Sequence, residues 1–339
     1  MKKLSILVPH YNEEESVIKP LLDSIAFQQN IDFKDIEVVI CDDGDEAYRL
    51  PQEFLDSYPY DIQYHREQKG GVSQMRNKAF EYSSGEYVAW CDADDQYYHC
   101  LAFWFILKET TTPMQVPING VPTTVNGFDA FYSCFLEEGR DPQGNVYFLD
   151  RKDGFQFVHG KVFKREFLER NDIHFFPECT IHEDNVLNLQ VQACTQNIKW
   201  CAVPFYLWKW RDNSICRRDP LYLKKTYNDL IKSSDCSIEW LTRKSKFDKA
   251  RECVVSITYD SYYTFCHPSW KEIGTQEYRD KTEKYFAEYF RKWEYLWNEA
   301  PKEMKMAISN GIRQRVVQQG MDMETETLEQ YLNRIKNLS

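Results

Sequence analysis

The chain contains no Gly-x-Gly-x-x-Gly and no Walker-type phosphate loop. Those absences weaken a dinucleotide-binding or P-loop reading of any α/β pattern it carries. No apolar run approaches the ~18 residues of a membrane span. Leu4–Pro9 is a short apolar run, but Pro9-His10-Tyr11-Asn12-Glu13 follows at once, so it reads as a first strand rather than a leader. The eleven cysteines include no Cys-x-x-Cys pair. An odd count without an export signal suits reduced thiols and a cytoplasmic protein, soluble or peripheral to the inner membrane face. Internal repeats and low-complexity tracts are also missing.

Charge is present but unevenly placed. The net charge over 339 residues is −11. After Pro220 there are 20 basic and 18 acidic residues, a balance of +2, which leaves −13 on the first 220. An acidic first part argues against a general nucleic-acid surface. It does not oppose an anionic ligand bridged by a metal, because the cation reverses the local sign.

Apolar periodicity predicts strands at Leu4–Pro9, Ile36–Cys41, Ile62–His65 and Tyr87–Cys91. Helices are predicted over Glu14–Gln29 and Val72–Tyr82. This β-α-β-α-β alternation implies a parallel sheet with ligands at its strand C-termini. Thr110–Gly127, with Asn119-Gly120 and Asn126-Gly127, reads as a hairpin or loop. Strands are expected at Phe128–Leu136 and Val146–Leu149, around an Asp141-Pro142-Gln143-Gly144 turn, and over Lys199–Trp210. Short helices are expected at Lys164–Arg170 and Asp184–Ala193. From the Asp219-Pro220 cap onward the pattern is helical. The domains expected are therefore 1–218 and 219–339, the second all-helical. Its aromatic helices must bury against the first domain, a second subunit or a bound substrate.

Acidic or polar clusters fall where strands end: Pro9 to Glu13, Asp42-Asp43-Gly44 and Cys91-Asp92-Ala93-Asp94-Asp95. His182-Glu183-Asp184 opens a later helix. Carboxylates crowded at a strand end repel one another unless a cation joins them. A hard divalent ion with a diphosphate fits, since such ions are commonly held by one or two carboxylates plus phosphate oxygens.

In order and spacing, Ser5–Val17, Val39–Gly44, Gly70–Asn77, Gly85–Asp95, Gly160–Leu168 and Glu183-Asp184 resemble the inverting family-2 glycosyltransferases, of bacterial or phage surface-glycan type. The resemblance covers roughly residues 4–215 and not the helical tail. It implies a GT-A fold, a Rossmann-like mixed sheet flanked by helices. It also implies a nucleotide-sugar donor, usually UDP-linked, with Mn2+ or Mg2+. By matching position, Pro9, Tyr11 and Glu13 surround the nucleoside, and Asp42 or Asp43 accepts the uracil imide N–H. Asp92 and Ala93 lie on the ribose side, Asp94 binds the metal with Asp92 beside it, and Asp95 supports them. Arg76 hydrogen-bonds the nucleotide or an adjacent acid, or pairs structurally with Asp42 or Asp43. Asp184, or failing it Glu183, removes the acceptor proton.

The resemblance further makes Arg211 and Ser214 candidates to close over the diphosphate. It places His159, Lys161 and Trp208 near the acceptor, with His159 and His182 open as metal ligands or structural histidines. The acceptor is a glycan, glycolipid or other hydroxyl-bearing molecule, and the helical tail is open to membrane contact or homo-oligomer formation. Two other classes compete. A nucleotidyltransferase that makes the nucleotide sugar would want a basic Gly-rich loop after the first strand, and Pro9–Glu15 has no basic residue. A non-catalytic binding scaffold would not need all three acid sets.

Overall fold

The computed structural model describes residues 2–140, 146–148, 157–210, 226–318 and 324–338. The chain divides into two compact units, Met1–Arg211 and Asp212–Ser339.

The first unit is built on β1 (Leu4–His10), β2 (Ile36–Asp42), β3 (Asp61–Arg66) and β4 (Tyr87–Trp90). β1 pairs in parallel with β2 on one side and β4 on the other, and β2 pairs in parallel with β3. Every residue of β2 and β4 is buried, which is why these strands read as continuous apolar runs rather than alternations. The connecting helices are α1 (Glu15–Ala26), the short α2 (Gln52–Leu55) and α3 (Val72–Tyr82). α1 buries Ile18, Leu21, Leu22 and Ile25 on one face.

Beyond β4 the sheet becomes mixed. After β5 (Gln96–Tyr97) come α4 (Ala102–Glu109) and the hairpin β6 (Pro113–Ile118) and β7 (Val121–Asn126). The hairpin turns at Asn119 and Gly120, both at positive φ (51° and 77°), the geometry that Asn-Gly selects. β8 (Ala130–Arg140), β9 (Val146–Phe148) and β10 (Lys161–Lys164) follow, then α5 (Arg165–Asn171), α6 (Glu183–Cys194) and β11 (Ile198–Lys209). Among the described residues the sheet order is β3-β2-β1-β4-β10-β8-β11-β5, with β9 against β8. β10 runs antiparallel to β4. The expected GT-A architecture is therefore found. β5, α4 and β10 were not foreseen; β5 and β10 are too short, at two and four residues, for a period to register.

The second unit holds α7 (Tyr227–Arg243), α8 (Phe247–Phe265), α9 (Gln276–Glu299), α10 (Lys302–Gln318) and α11 (Leu328–Lys336). Its aromatics bury largely against one another. Phe265 and Trp270 rings lie 4.6 Å apart, and Tyr331 packs on Phe286 and Tyr262. The aromatic stripes thus build a core within the second unit. No helix among the described residues is long and apolar enough to cross a membrane.

Candidate active site

β1 lies between β2 and β4, and the chain reverses its winding direction between β1 and β4. In open α/β sheets that reversal opens a crevice at the strand C-termini. The ends of β1, β2 and β4 carry His10, Asp42 and Cys91-Asp92, so three of the four clusters meet at one sheet edge. Gly44 lets the loops after β1 and β2 touch: a Cβ there would lie 2.6 Å from Asn12 Oδ1.

The two acids after β2 have different environments. Asp42 is fully buried and accepts from Gly44 N–H (2.8 Å), Arg66 Nη1 (2.6 Å) and the Tyr64 hydroxyl, with His10 Nδ1 3.1 Å away. Burial alone would raise its carboxyl, but these donors outweigh burial and hold it below the ordinary range. Asp43 accepts from Gly70 and Gly71 N–H through Oδ2 alone, at 2.9 and 2.7 Å. Two successive backbone amides thus converge on one carboxylate oxygen. Tyr11 is 46% exposed beside them, and Lys69 reaches it by a 2.8 Å hydrogen bond to its hydroxyl. Glu13 accepts from Tyr11 N–H at 2.6 Å, and burial, with the charge of Asp94 adding, lifts its carboxyl. Pro9 is the half-buried penultimate residue of β1.

Arg76 is the hub of the site. Its guanidinium, 2% exposed on α3, donates from Nη1 to Glu183 Oε1 (2.8 Å) and Asp184 Oδ1 (2.7 Å). From Nη2 it donates to Asp92 Oδ1 (3.0 Å). The pairing with Asp42 or Asp43 is corrected: those acids are held by donors from β1, β3 and the Gly70-Gly71 turn. Burial opposes the cation, and the three carboxylates outweigh it, so Arg76 stays charged. α3 clamps the segment before α6 with further bonds. Asn77 Nδ2 donates to Phe175 C=O (2.7 Å), Phe175 N–H donates back to Asn77 Oδ1 (3.0 Å), and Ser73 Oγ donates to Cys179 C=O (2.7 Å). His182 then adopts a left-handed φ of 65°, an uncommon conformation for a non-glycine residue, and the chain turns into α6 with Glu183-Asp184 facing Arg76. Burial and the neighbouring Asp184 push the Glu183 carboxyl up to about 7, against the pull of Arg76. Asp184 Oδ2 also accepts from Val158 N–H at 3.2 Å.

At the far side of Asp92, oxygens of Asp92 and Asp95 and a ring nitrogen of His159 lie within 4.8 Å of one another. His159 Nδ1 is buried with no hydrogen-bond partner, 3.5 Å from Asp92 Oδ2. Its ring is held between Phe157 and Tyr206 at 5.7 and 5.6 Å. Tyr206 donates to Asp95 Oδ2 (2.6 Å) and accepts from Asp92 N–H (3.3 Å). Burial and the adjacent Asp92 and Asp94 raise Asp95 well above the usual carboxylate range, while Arg76 and His159 overcome burial to lower Asp92. Two carboxylates and an orphaned imidazole nitrogen suit a divalent cation such as Mn2+. Asp94, the expected direct ligand, is half-buried outside this trio, and Ala93 is buried beside it.

Lys161 is 1% exposed and points inward to backbone carbonyls, so its side chain is not presented to a bound molecule. Trp208 packs on Phe135 and Phe157. Arg211 and Ser214 lie outside the described residues. Sequence reasoning missed Tyr206, the clamp made by Asn77 and the reach of Arg76. Asn77 stood in a recognised motif, but no local pattern shows a contact 98 residues away.

The sheet order and strand-end acids define a GT-A domain. Residues 5–101 match the model for glycosyl transferase family 2, bearing out the family resemblance. A poly(ribitol-phosphate) β-glucosyltransferase of Bacillus spizizenii is 25% identical over 93% of this chain and 48% of its own length. The poly(ribitol-phosphate) β-N-acetylglucosaminyltransferase TarS of Staphylococcus aureus is 26% identical over 56% of this chain and 32% of its own. The chain thus spans about half or less of these relatives. The solved structure of S. aureus TarS 1–349 with UDP-GlcNAc superposes with a TM-score of 0.63 at 16% identity, covering 94% of this chain and 92% of that one.

Proposed function

We propose that the chain transfers a sugar from a UDP-sugar to an acceptor hydroxyl, with inversion at the anomeric carbon. The observation that carries this reading is the single guanidinium of Arg76 between Asp92, on the donor side, and Asp184, on the acceptor side. An in-line displacement needs one base opposite one leaving group, and the base must come from a different segment than the donor-binding acids. Asp184 on α6 and Asp92 after β4 meet that requirement.

In this reading Asp43 Oδ1 accepts the uracil imide N–H, a task for an acceptor only. Asp42, already bonded through both oxygens, shapes the loop. Tyr11 offers its exposed ring to the base, and Pro9 and Glu13 shape the pocket edge. Asp92, Asp95 and His159 would hold Mn2+ or Mg2+, with Asp94 at its outer side. Such an ion supplies Lewis-acid stabilisation of the departing diphosphate. Asp184 takes the proton of the attacking hydroxyl, and Arg76 keeps its carboxylate oriented. Arg211 and Ser214 close over the diphosphate. The named activities of the relatives favour a poly(ribitol-phosphate) acceptor and a glucosyl or N-acetylglucosaminyl donor. The protein works in the cytoplasm, in solution or against the membrane face.

A panel of UDP-, GDP- and dTDP-sugars, each assayed with Mn2+ for nucleotide release with and without poly(ribitol phosphate), tests the proposal. Acceptor-dependent release from a UDP-sugar is expected. Release from none of the donors would overturn it.

A further inference from the structure

Lys161 is a lysine where an apolar residue would be expected. Its side chain is enclosed on β10, and no carboxylate lies within ion-pair distance among the described residues. The ammonium group donates instead to the carbonyls of Phe157 and His159, and sits 5.0 Å over the Tyr132 ring. Burial pushes this amine down to about 7 against the pull of the Asp184 carboxylate, a free-energy cost that a methionine of similar length would not carry. Something other than packing is therefore served.

The two carbonyls belong to the turn Phe157-Val158-His159-Gly160, which reverses at Gly160 (φ 66°). This turn touches both halves of the site. Val158 N–H donates to Asp184 Oδ2 at 3.2 Å, and His159 Nδ1 stands 3.5 Å from Asp92 Oδ2. Asn188 secures the same turn from α6, donating from Nδ2 to Phe157 C=O (2.9 Å) and to Asp184 C=O (3.0 Å). Its Oδ1 accepts from the Tyr132 hydroxyl at 3.0 Å. With its carbonyls drawn inward to Lys161, the turn presents Val158 N–H and the His159 ring outward. Removing the ammonium group leaves the His159 carbonyl without this donor and leaves Asn188 alone to hold the Phe157 carbonyl, so the turn loosens.

We propose that Lys161 is a positioning residue for sugar transfer: by holding the Phe157 and His159 carbonyls it aims Val158 N–H at Asp184 and His159 at Asp92. The inference rests on the transferase reading above, and its test separates the two. The variant is Lys161→Met, read by steady-state transfer, UDP affinity and hydrogen exchange at the Val158 amide. Small misplacement of a base is costly, so kcat falls about 10- to 100-fold. UDP affinity measured without metal stays within about twofold, because the loss falls on the transition state. Val158 exchange quickens by about 10-fold or more as the turn loosens.

Unchanged exchange, or unchanged kcat in an active enzyme, overturns the proposal. So does a parallel loss of kcat, UDP affinity and thermal midpoint, which marks simple destabilisation. If Lys161→Met does not fold, Lys161→Gln, which keeps one donor, is read the same way against the same outcomes. If the wild-type protein transfers no sugar, the transferase reading fails while Val158 exchange still decides whether Lys161 orders the turn.

Discussion

Arg76 Nη1 lies 2.7 Å from Asp184 Oδ1, and both groups are almost wholly removed from solvent. The same guanidinium bonds Asp92 from its other nitrogen. Asp92 and Asp184 are 92 residues apart in sequence, yet one rigid planar fork sets their separation. Removing that cation leaves three carboxylates, Asp184 buried and Asp92 and Glu183 half-buried, facing one another. Arg76→Ala is expected to cost about 3–5 kcal/mol in urea unfolding, the usual loss when one partner of a buried pair is deleted. Arg76→Lys keeps charge but offers no planar fork, so it retains more stability while losing about 10²-fold or more in transfer. A fully active Arg76→Lys enzyme would contradict this role.

The two adjacent acids after β2 should separate cleanly. Asp43→Asn replaces an acceptor with a group that also presents a donor, and UDP binding by calorimetry should weaken about 10-fold, near the value of one hydrogen bond to a charged group. Asp42→Asn should mainly lower stability, by about 1.5–3 kcal/mol, because its partners include Arg66 and three further donors. The sign of its pH dependence follows from its lowered pKa. The stability from Asp42 is present above the ordinary carboxylate range and is lost as pH falls toward its folded value. A larger UDP defect in Asp42→Asn than in Asp43→Asn would reverse the assignment.

Glu183 has the opposite sign. Its carboxyl rises from an ordinary 4.5 to about 7 in the folded protein. Between those values the folded state binds more proton than the unfolded one, so its contribution to stability falls as pH rises through that window. Wild type should lose stability relative to Glu183→Gln from about pH 4.5 to about pH 7, then run level above it. Parallel stability profiles for the two proteins would show that Glu183 ionises normally.

His159 should act on metal affinity. Its unpartnered Nδ1 faces Asp92, and the ring is locked between two aromatic rings. His159→Phe preserves that stack and removes the nitrogen. Mn2+ affinity in the presence of UDP, followed by electron paramagnetic resonance, should drop about 10- to 100-fold. Unaltered affinity would return the metal to Asp92 and Asp94 alone.

Much of the frame is legible in the chain because its signals are local. Asn119-Gly120 dictates a turn by backbone preference, and β2 and β4 announce burial by unbroken apolar runs. Val72–Tyr82 was bounded correctly because Gly71 and the apolar period both mark it. The site was legible as four acid clusters, but not as a circuit. Which acid Arg76 would hold depends on how α3 packs against the segment ending at His182, a contact set by the whole sheet. Likewise β11 reads as an aromatic strand, and nothing in its pattern says that Tyr206 reaches Asp95 and Asp92. Short elements such as β5 and β10 are strands only because β11 and β4 lie beside them.

The most direct test of the account is the transfer rate of Asp184→Asn with a UDP-sugar that the wild-type enzyme uses, at saturating donor and Mn2+. Asparagine keeps the shape of the side chain and can still accept from Arg76, giving up the Val158 N–H bond alone, so the fold and UDP affinity should persist. It cannot take a proton, and loss of a general base predicts a fall in kcat of about 10²–10⁴-fold. A folded, UDP-binding Asp184→Asn enzyme that transfers at near wild-type rate would contradict the central claim.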